Sequence, residues 1–312
     1  MTRPTAAPPP EPTKGTNRTP ARSGAEVLEP GPSAILVDDG RPGWAHLAVT
    51  TGGAFDRPAF RLANRLVGNH PGTAVVEFIF GPLALWFHRP ATVAVTGIDA
   101  AVTIRRRDGS QFAAATSSTV SVPAEGTLRI APARSGLRGY LAVRGGWDVP
   151  PVLGSRSRDT LADLGPEPLR TGDLVPIGTL AGEFPAIDHV PGRLPPDRLA
   201  LRLLPAPRPS ALRFALHELP ALEWTVSPAS DRVGIRLRGP ALPVRPQSQS
   251  EPLVRGAVQV PPDGQPVIMG PDHPTTGGYP VIGVVSEADS DALAQARPGT
   301  PVRLVPVADA ST

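Results

Sequence analysis

The chain has 312 residues, a formal net charge of +3 and 40% hydrophobic residues, enough to bury a core of one large or two ordinary domains. Its 42 prolines and 32 glycines, with only 4% aromatic residues, favour many short elements joined by turns over long helices. It contains no cysteine, which excludes disulfides, thiolate metal sites and cysteine nucleophiles.

The basic residues are arginines apart from Lys14, and acidic residues are interspersed with them. No basic run interleaves with aromatics, which argues against a nucleic-acid partner. Lys14 sits in a Pro/Thr-rich stretch, so neither a Gly-x-x-x-x-Gly-Lys phosphate loop nor a lysine on an exposed carrier hairpin is present. If nucleotide or biotin takes part, another polypeptide is expected to bring it. The beginning, MTRPTAAPPPEPTKG, lacks the apolar run of a signal peptide, and no stretch reaches the length of a membrane span. The expectation is a cytoplasmic protein with no membrane contact.

In chain order, residues 1–30 are expected to be a disordered tail, because Pro, Thr, Ala and charge dominate. The fold is then expected to start near Ser33. AILVDDGRPGWAHLAV reads as strand, Gly-rich turn, strand. DRPAFRLANRLVG changes to helical spacing, with Ala59, Phe60, Ala63, Leu66 and Val67 on one face, Asp56 as N-cap, Pro58 in the first turn and Gly68 past the end. The runs TAVVEFIF, LALWFH, TVAVTG, AAVTIRR, STVSVP, GTLRIAP and GYLAVRGG, divided by Pro and Gly, predict strands of a sandwich or barrel. FPAIDHVPGRLPP interrupts them, placing a linker at 185–197 between an N-terminal β subdomain (31–184) and a C-terminal one (198–308). Beyond it LALRLLPAP, EWTVSP, GIRLRG, AVQVPPDGQPVIMG, YPVIGVVS and VRLVPV are again strands. SEADSDALAQARPG is a short helix, with Ser286 and Asp289 as a variant capping box and Pro298-Gly299 as its stop.

Five polar or Gly-rich clusters stand out: GRPGWAHL, TTGGAFDR, VRGGWDVPPVLGSRSRDT, SDRVGIRLRGP and VPPDGQPVIMGPDHPTTGGYP. Turn chemistry accounts for much of each, since Asp56 reads as a cap and Asp231 and Asp263 fit turn positions. Arg144, Arg156, Arg232 and Arg236 need more, because a partly buried guanidinium among apolar neighbours requires an anionic or carbonyl partner, internal or external. The six histidines show no metal-ligand spacing, and Ser155 is not in a Gly-x-Ser-x-Gly elbow.

Taken together, DGRPGWAHLAV, GGAFDRPAFRLANRLVGN, RGYLAVRGGWDVPPVLGSRSRDTLADLG, SPASDRVGIRLRGPAL and VRGAVQVPPDGQPVIMGPDHPTTGGYPVIGVVSEADSDALAQARPG resemble, in this order, the biotin-dependent carboxyltransferase family. That family includes the C subunit of 5-oxoprolinase, an antagonist of a sporulation histidine-kinase inhibitor, and part of the carboxyltransferase domain of urea carboxylase. The resemblance runs from about residue 34 to 307.

It implies a mainly β fold of two cyclophilin-like β-barrel subdomains with a few short helices. It also implies work beside a homologous B-like 5-oxoprolinase partner and an A-like one, on a small amide or lactam. The activity it implies is one part of an ATP-dependent 5-oxoprolinase that opens 5-oxo-L-proline to L-glutamate. ATP would act through the assembled complex, and no cofactor would be covalently held. The alternatives are carboxyl transfer to a urea-like amide beside a biotin carboxylase partner, or a non-enzymatic regulator of a histidine kinase. The candidate substrate-binding residues are Arg144, Ser155, Arg156, Arg232, Gln265, Thr275, Thr276 and Tyr279, with Gly277 and Gly278 as loop backbone. No catalytic residue is assigned and no metal is expected. Two positions depart from the family pattern: Gly52 replaces the usual serine of Ser-Gly-Ala, and Asp272-His273-Pro274 replaces Asp-Arg-Gln.

Overall fold

The computed structural model describes residues 24–179, 181–191, 196–206, 213–244 and 249–307. The first half contains β1 (Gly24–Glu29), β2 (Ala34–Val37), α1 (Arg57–Leu66), β3 (Val75–Ile79), β4 (Leu83–Phe87), β5 (Ala91–Thr96), β6 (Val102–Arg105), β7 (Gln111–Ala114), β8 (Thr119–Val122), β9 (Gly126–Ile130), β10 (Arg138–Val143) and β11 (Leu174–Pro176). Six of these strands form one sheet in the order β11-β1-β4-β9-β6-β7, and five form a second in the order β2-β3-β10-β5-β8.

The side-chain period of two explains how the sheets stack. On β10, Leu141 and Val143 enter the core shared by the two sheets, while Tyr140 and Ala142 face the layer beneath α1. All six residues of this strand are buried, hence its unbroken apolar reading. Helix α1 lays Phe60, Ala63 and Leu66 on that outer face. Its ends are tied to the sheet by Thr96 Oγ1, which donates to the Ala59 carbonyl, and Thr119 Oγ1, which donates to the Leu66 carbonyl. The expected N-cap is present: Asp56 Oδ1 accepts the Ala59 N–H at 2.9 Å.

The second half contains β12 (Leu199–Pro205), β13 (Trp224–Val226), β14 (Gly234–Arg238), β15 (Glu251–Pro252), β16 (Ala257–Gln259), β17 (Val267–Met269), β18 (Thr276–Gly277), β19 (Val281–Val285), α2 (Glu287–Leu293) and β20 (Pro301–Pro306). Seven of these strands close into a barrel in the order β12-β19-β16-β17-β14-β13-β20, sealed by the parallel pair β12–β20. The mainly β expectation holds. A closed barrel forms in this half, whereas the first half holds two facing sheets around a common core.

Three local expectations are corrected. The expected tail reaches residue 30, yet Gly24–Glu29 forms β1, paired with β4 on one edge and β11 on the other. Ala25 and Val27 are fully buried, an alternation that the adjoining Pro/Thr-rich composition masks. Residues 1–23 lie outside the described residues. WAHLAV is not a strand: Ala45–Leu47 is a single 3-10 turn ended by Ala48 in the left-handed region, and the segment forms one rim of a cleft. At α2, Ser286 caps the Asp289 N–H, but Asp289 does not complete a capping box. Its carboxylate binds the Arg202 guanidinium and backbone N–H instead, and the Ser286 N–H donates to the Arg202 carbonyl.

The halves interlock. Phe55, just before α1, joins the barrel's hydrophobic core, with the Arg138 and Arg255 guanidiniums 4.4 Å and 5.4 Å from its ring centroid. Gln295 Oε1 accepts the N–H groups of Leu137 and Arg138, and its Nε2 donates to Asp56 Oδ2. In the expected 185–197 linker, the Val190 N–H donates to the Ser117 carbonyl, and Val190 packs against the α1 layer. Residues 192–195 lie outside the described residues. No helix among the described residues is long and apolar enough to cross a membrane.

Candidate functional site

A cleft of about 560 Å³ opens where the two halves meet. One wall comes from the loop after β2 and the first turns of α1, and the other from the segment around Arg255 and the loop leading into β18. Two polar hubs shape it.

The first hub is the Asp38 carboxylate at the end of β2. Oδ1 accepts the Gly40 N–H at 2.8 Å and the hydroxyls of Ser155 and Ser157, both at 2.6 Å, while Oδ2 accepts the Arg156 N–H at 2.6 Å. The Ser155 hydroxyl in turn accepts the Ser157 N–H, and the Ser157 hydroxyl accepts the Asp38 N–H. The Gly-Ser-Arg-Ser block is therefore a set of donors folded around one buried carboxylate. Ser155, expected to touch substrate, is 1% exposed and engaged here. The Arg156 side chain turns away to donate to the Val149 carbonyl and to reach Asp148.

The second hub joins the halves. Arg232 donates through Nε and Nη2 to the two oxygens of Asp272, each at 2.9 Å, through Nη1 to Glu77 at 2.5 Å, and through Nη2 to the Gly53 carbonyl at 2.6 Å. Asp272 Oδ2 also accepts the N–H and hydroxyl of Thr160, and Glu77 Oε2 accepts the Phe55 N–H. Burial alone would lower the Arg232 pKa, but the two carboxylates hold the guanidinium well above its ordinary value. With every arm committed, Arg232 is a buried structural cation and presents no free fork to the cleft.

Gly52 lines the cleft at a φ of +65°, a conformation that suits glycine. A Cβ there would lie 3.8 Å from both Arg41 Nη1 and Asp272 Oδ1. Arg41 is 1% exposed and donates through Nη2 to the Ser157 carbonyl, yet its Nη1 has no hydrogen-bond partner and stands 4.0 Å from Asp159. The buried Arg41 Nη1 thus lies behind Gly52, which itself lines the cleft. Arg255, also on the cleft wall, donates to the carbonyls of Ala54 and Phe55 and to Asp291; burial and the neighbouring Arg57 lower its pKa to about 10.

His273 completes the wall. Its Nδ1 lies 2.8 Å from the Pro274 carbonyl oxygen, and burial pushes the imidazole below its ordinary value near 6.5. A His with a depressed folded pKa contributes stability that is complete above the unfolded value and is lost as pH falls through the folded one. Wild type is therefore expected to lose more unfolding free energy than His273→Gln between pH 7.5 and pH 5. Parallel urea titrations at the two pH values check this, and equal losses would contradict a buried neutral ring.

The remaining expected site residues scatter. Thr275 lines the cleft, and its carbonyl accepts the Leu253 N–H. Thr276 and Gly277 form β18 against β15. A Cβ on Gly277 would stand 2.3 Å from Gln259 Nε2 and 2.7 Å from Leu253 Cδ1, so close approach explains that glycine, whereas Gly278 meets only the Ser250 hydroxyl at 3.8 Å. Tyr279 is 48% exposed, and its carbonyl, not its phenol, accepts a bond from Gln259. Gln265 clasps the Gly239 backbone through both its oxygen and its nitrogen. Arg144 donates to the Val67 and Gly182 carbonyls and stacks on Phe184; it borders a separate groove of about 480 Å³ that shares no residue with the cleft. Sequence reasoning misses Asp38, Arg41, Arg255 and Glu77, because acids and arginines next to short strands look alike until tertiary pairing sorts them. Among the described residues, no three His, Asp or Glu side chains come together to hold a metal ion.

This chain is a β-sandwich and a β-barrel joined by a buried ion-pair hub beside an interfacial cleft. The family model for the carboxyltransferase domain, subdomain A and B, matches residues 47–306, and the chain belongs to that family. It is 35% identical over 289 residues to the C subunit of 5-oxoprolinase from Escherichia coli (strain K12), covering 90% of each chain. It is 30% identical to the urea amidolyase of Saccharomyces cerevisiae over 90% of this chain but only 16% of that protein. The crystal structure of TTHA0988 superposes with a TM-score of 0.81 at 34% identity, covering 97% of this chain and 60% of that one. The K. lactis urea amidolyase superposes with a TM-score of 0.80 at 28% identity, covering 91% of this chain and 19% of that one.

Proposed function

We propose that this chain is the C-type component of a 5-oxoprolinase and that the interfacial cleft holds the lactam while partner proteins supply the ATP chemistry. The observation that carries the reading is the 35% identity to the E. coli protein along 90% of both chains. The cleft suits a small polar molecule in size and in its mixture of hydroxyl, backbone and imidazole groups.

It does not suit a triphosphate. Asp38 and Asp39 line it, and its cations are committed: Arg57 to Glu287 and Asp291, Arg61 to Asp39, and Arg255 to carbonyls and Asp291. No step through ATP is assigned to this chain. Its own contribution is to bind and orient the substrate through the hydroxyl, backbone and imidazole groups that line the cleft. Lactam opening breaks the ring C–N bond, adds a water oxygen to the carbonyl carbon and leaves the nitrogen protonated as the amine of glutamate.

The deciding experiment is ATP-dependent conversion of 5-oxo-L-proline by the purified chain, alone and with its partner proteins. Turnover is expected only in the mixture. Robust turnover by the single chain, or a mixture active on urea and inert on 5-oxoproline, would overturn the reading.

The likeness to urea amidolyases supports carboxyl transfer to urea as the second reading, since both substrates pair a carbonyl with an N–H. Under either reading, Tyr279→Phe is expected to shift the melting temperature by no more than about a degree. The phenol is half exposed, and surface substitutions of this kind fall within about 0.5 kcal/mol. A drop of several degrees in a thermal melt would show that the hydroxyl anchors the loop.

A further inference from the structure

We propose that His273 Nε2 is the acceptor that receives the substrate's amide N–H, which makes His273 the residue that selects an N–H-bearing lactam or urea. The inference rests on the cleft being the substrate site. A carbonyl oxygen only accepts, so the 2.8 Å contact with Pro274 places the ring proton on Nδ1. A neutral ring in that tautomer carries a bare lone pair on Nε2. Among the described residues, no protein group donates to that nitrogen. Nor is it sealed inside: the buried side-chain polar atoms without partners among the described residues are Arg41 Nη1 and Arg138 Nε. His273 lines the cleft, so the open lone pair meets cleft solvent.

The carboxylates nearby are already engaged. Asp38 already accepts from four donors, Asp39 pairs with Arg61, and Asp272 is held by Arg232 and Thr160. The charged groups that bear on the imidazole are Asp272, Arg255 and Asp159, with Asp38, Asp39, Arg57 and Arg61 along the same walls. A neutral acceptor has a chemical advantage here. It takes an N–H without adding a negative charge that would repel the carboxylate of 5-oxoproline. Protonation converts Nε2 from acceptor to donor, so recognition should fail in acid.

The test is calorimetric titration of the full chain, and of its assembled complex, with 5-oxo-L-proline, N-methyl-5-oxoproline and urea at pH 7.5 and pH 5. Wild type at pH 7.5 is expected to bind 5-oxoproline about tenfold tighter than the N-methyl analogue, the scale of one lost hydrogen bond. His273→Phe should bind the two alike. His273→Gln, whose amide oxygen still accepts, should keep the preference and lose less affinity than wild type as pH falls through the titration of the imidazole. That last comparison separates His273 from carboxylates titrating in the same range. If His273→Phe binds 5-oxoproline as wild type does, or if N-methylation is equally harmful with and without the imidazole, the role of His273 is refuted while the cleft assignment stands. If neither wild-type chain nor complex binds 5-oxoproline or urea, the cleft assignment falls and the inference with it. Circular-dichroism melts of both variants establish that they are folded.

Discussion

Arg232→Met is expected to lower the free energy of unfolding by about 3–5 kcal/mol, the scale seen when one partner of a buried ion pair is removed and the other is left behind. Arg232 is 5% exposed and neutralises two carboxylates from opposite halves: Glu77 on β3 of the sandwich and Asp272 in the loop after β17. Without it, Asp272 keeps only the Thr160 N–H and hydroxyl, and Glu77 keeps the Phe55 N–H with the Arg138 Nε 3.8 Å away. Methionine fills much of the arginine volume, so the cost arises from charge and lost hydrogen bonds more than from a cavity. Arg232→Lys should fall between, since an ammonium keeps the charge but cannot serve Asp272 with two prongs while also reaching Glu77 and the Gly53 carbonyl. Urea denaturation followed by tryptophan fluorescence measures both variants. An unchanged midpoint, with loss confined to catalysis by the assembled complex, would return Arg232 to the substrate-binding role that its sequence setting suggests.

Arg232 also marks the limit of what is legible in the sequence. Strand and helix periods are local, so β10, α1 and most barrel strands can be read directly; Asp56 and Ser286 are readable as caps because capping is decided within three residues. The site is not local. Ser155 and Arg156 stand out correctly as unusual, but their partner is Asp38, 117 and 118 positions away. Arg232 reads as a buried cation needing an anion, yet Glu77 lies 155 positions from it and nothing in the spacing names it. The Thr-Thr-Gly-Gly-Tyr stretch draws attention to its hydroxyls, whereas the structure gives Thr276 and Gly277 to a two-stranded sheet and brings only Thr275 to the cleft. His273 is visible as a departure from the family pattern, but its tautomer depends on the direction of the Pro274 carbonyl, which the folded loop sets.

Asp38→Asn is the second substitution with a large expected effect, and it tests whether the Gly-Ser-Arg-Ser block is built around this carboxylate. Both oxygens are used solely as acceptors, for two hydroxyls and two backbone N–H groups. An asparagine of the same shape must present its NH₂ to one side. Placed toward Arg156 it opposes a backbone N–H that has no other acceptor; placed toward Gly40 it displaces both serine hydroxyls. Either choice strands at least one buried donor and replaces hydrogen bonds to a charge by weaker neutral ones, a loss of about 2–3 kcal/mol. The damage should be local as well as global. Ser157 also presents its carbonyl to Arg41, and Asp38 itself lines the cleft, so a loosened hub shifts that wall. Hydrogen exchange should therefore show lost protection at the Arg156, Ser157 and Gly40 amides, while β10 amides decline only as far as the global stability does. Binding of 5-oxo-L-proline should weaken in the same variant. Full stability together with unchanged protection at Arg156 would mean that the serines and backbone find other partners, and that the carboxylate does not organise the cleft.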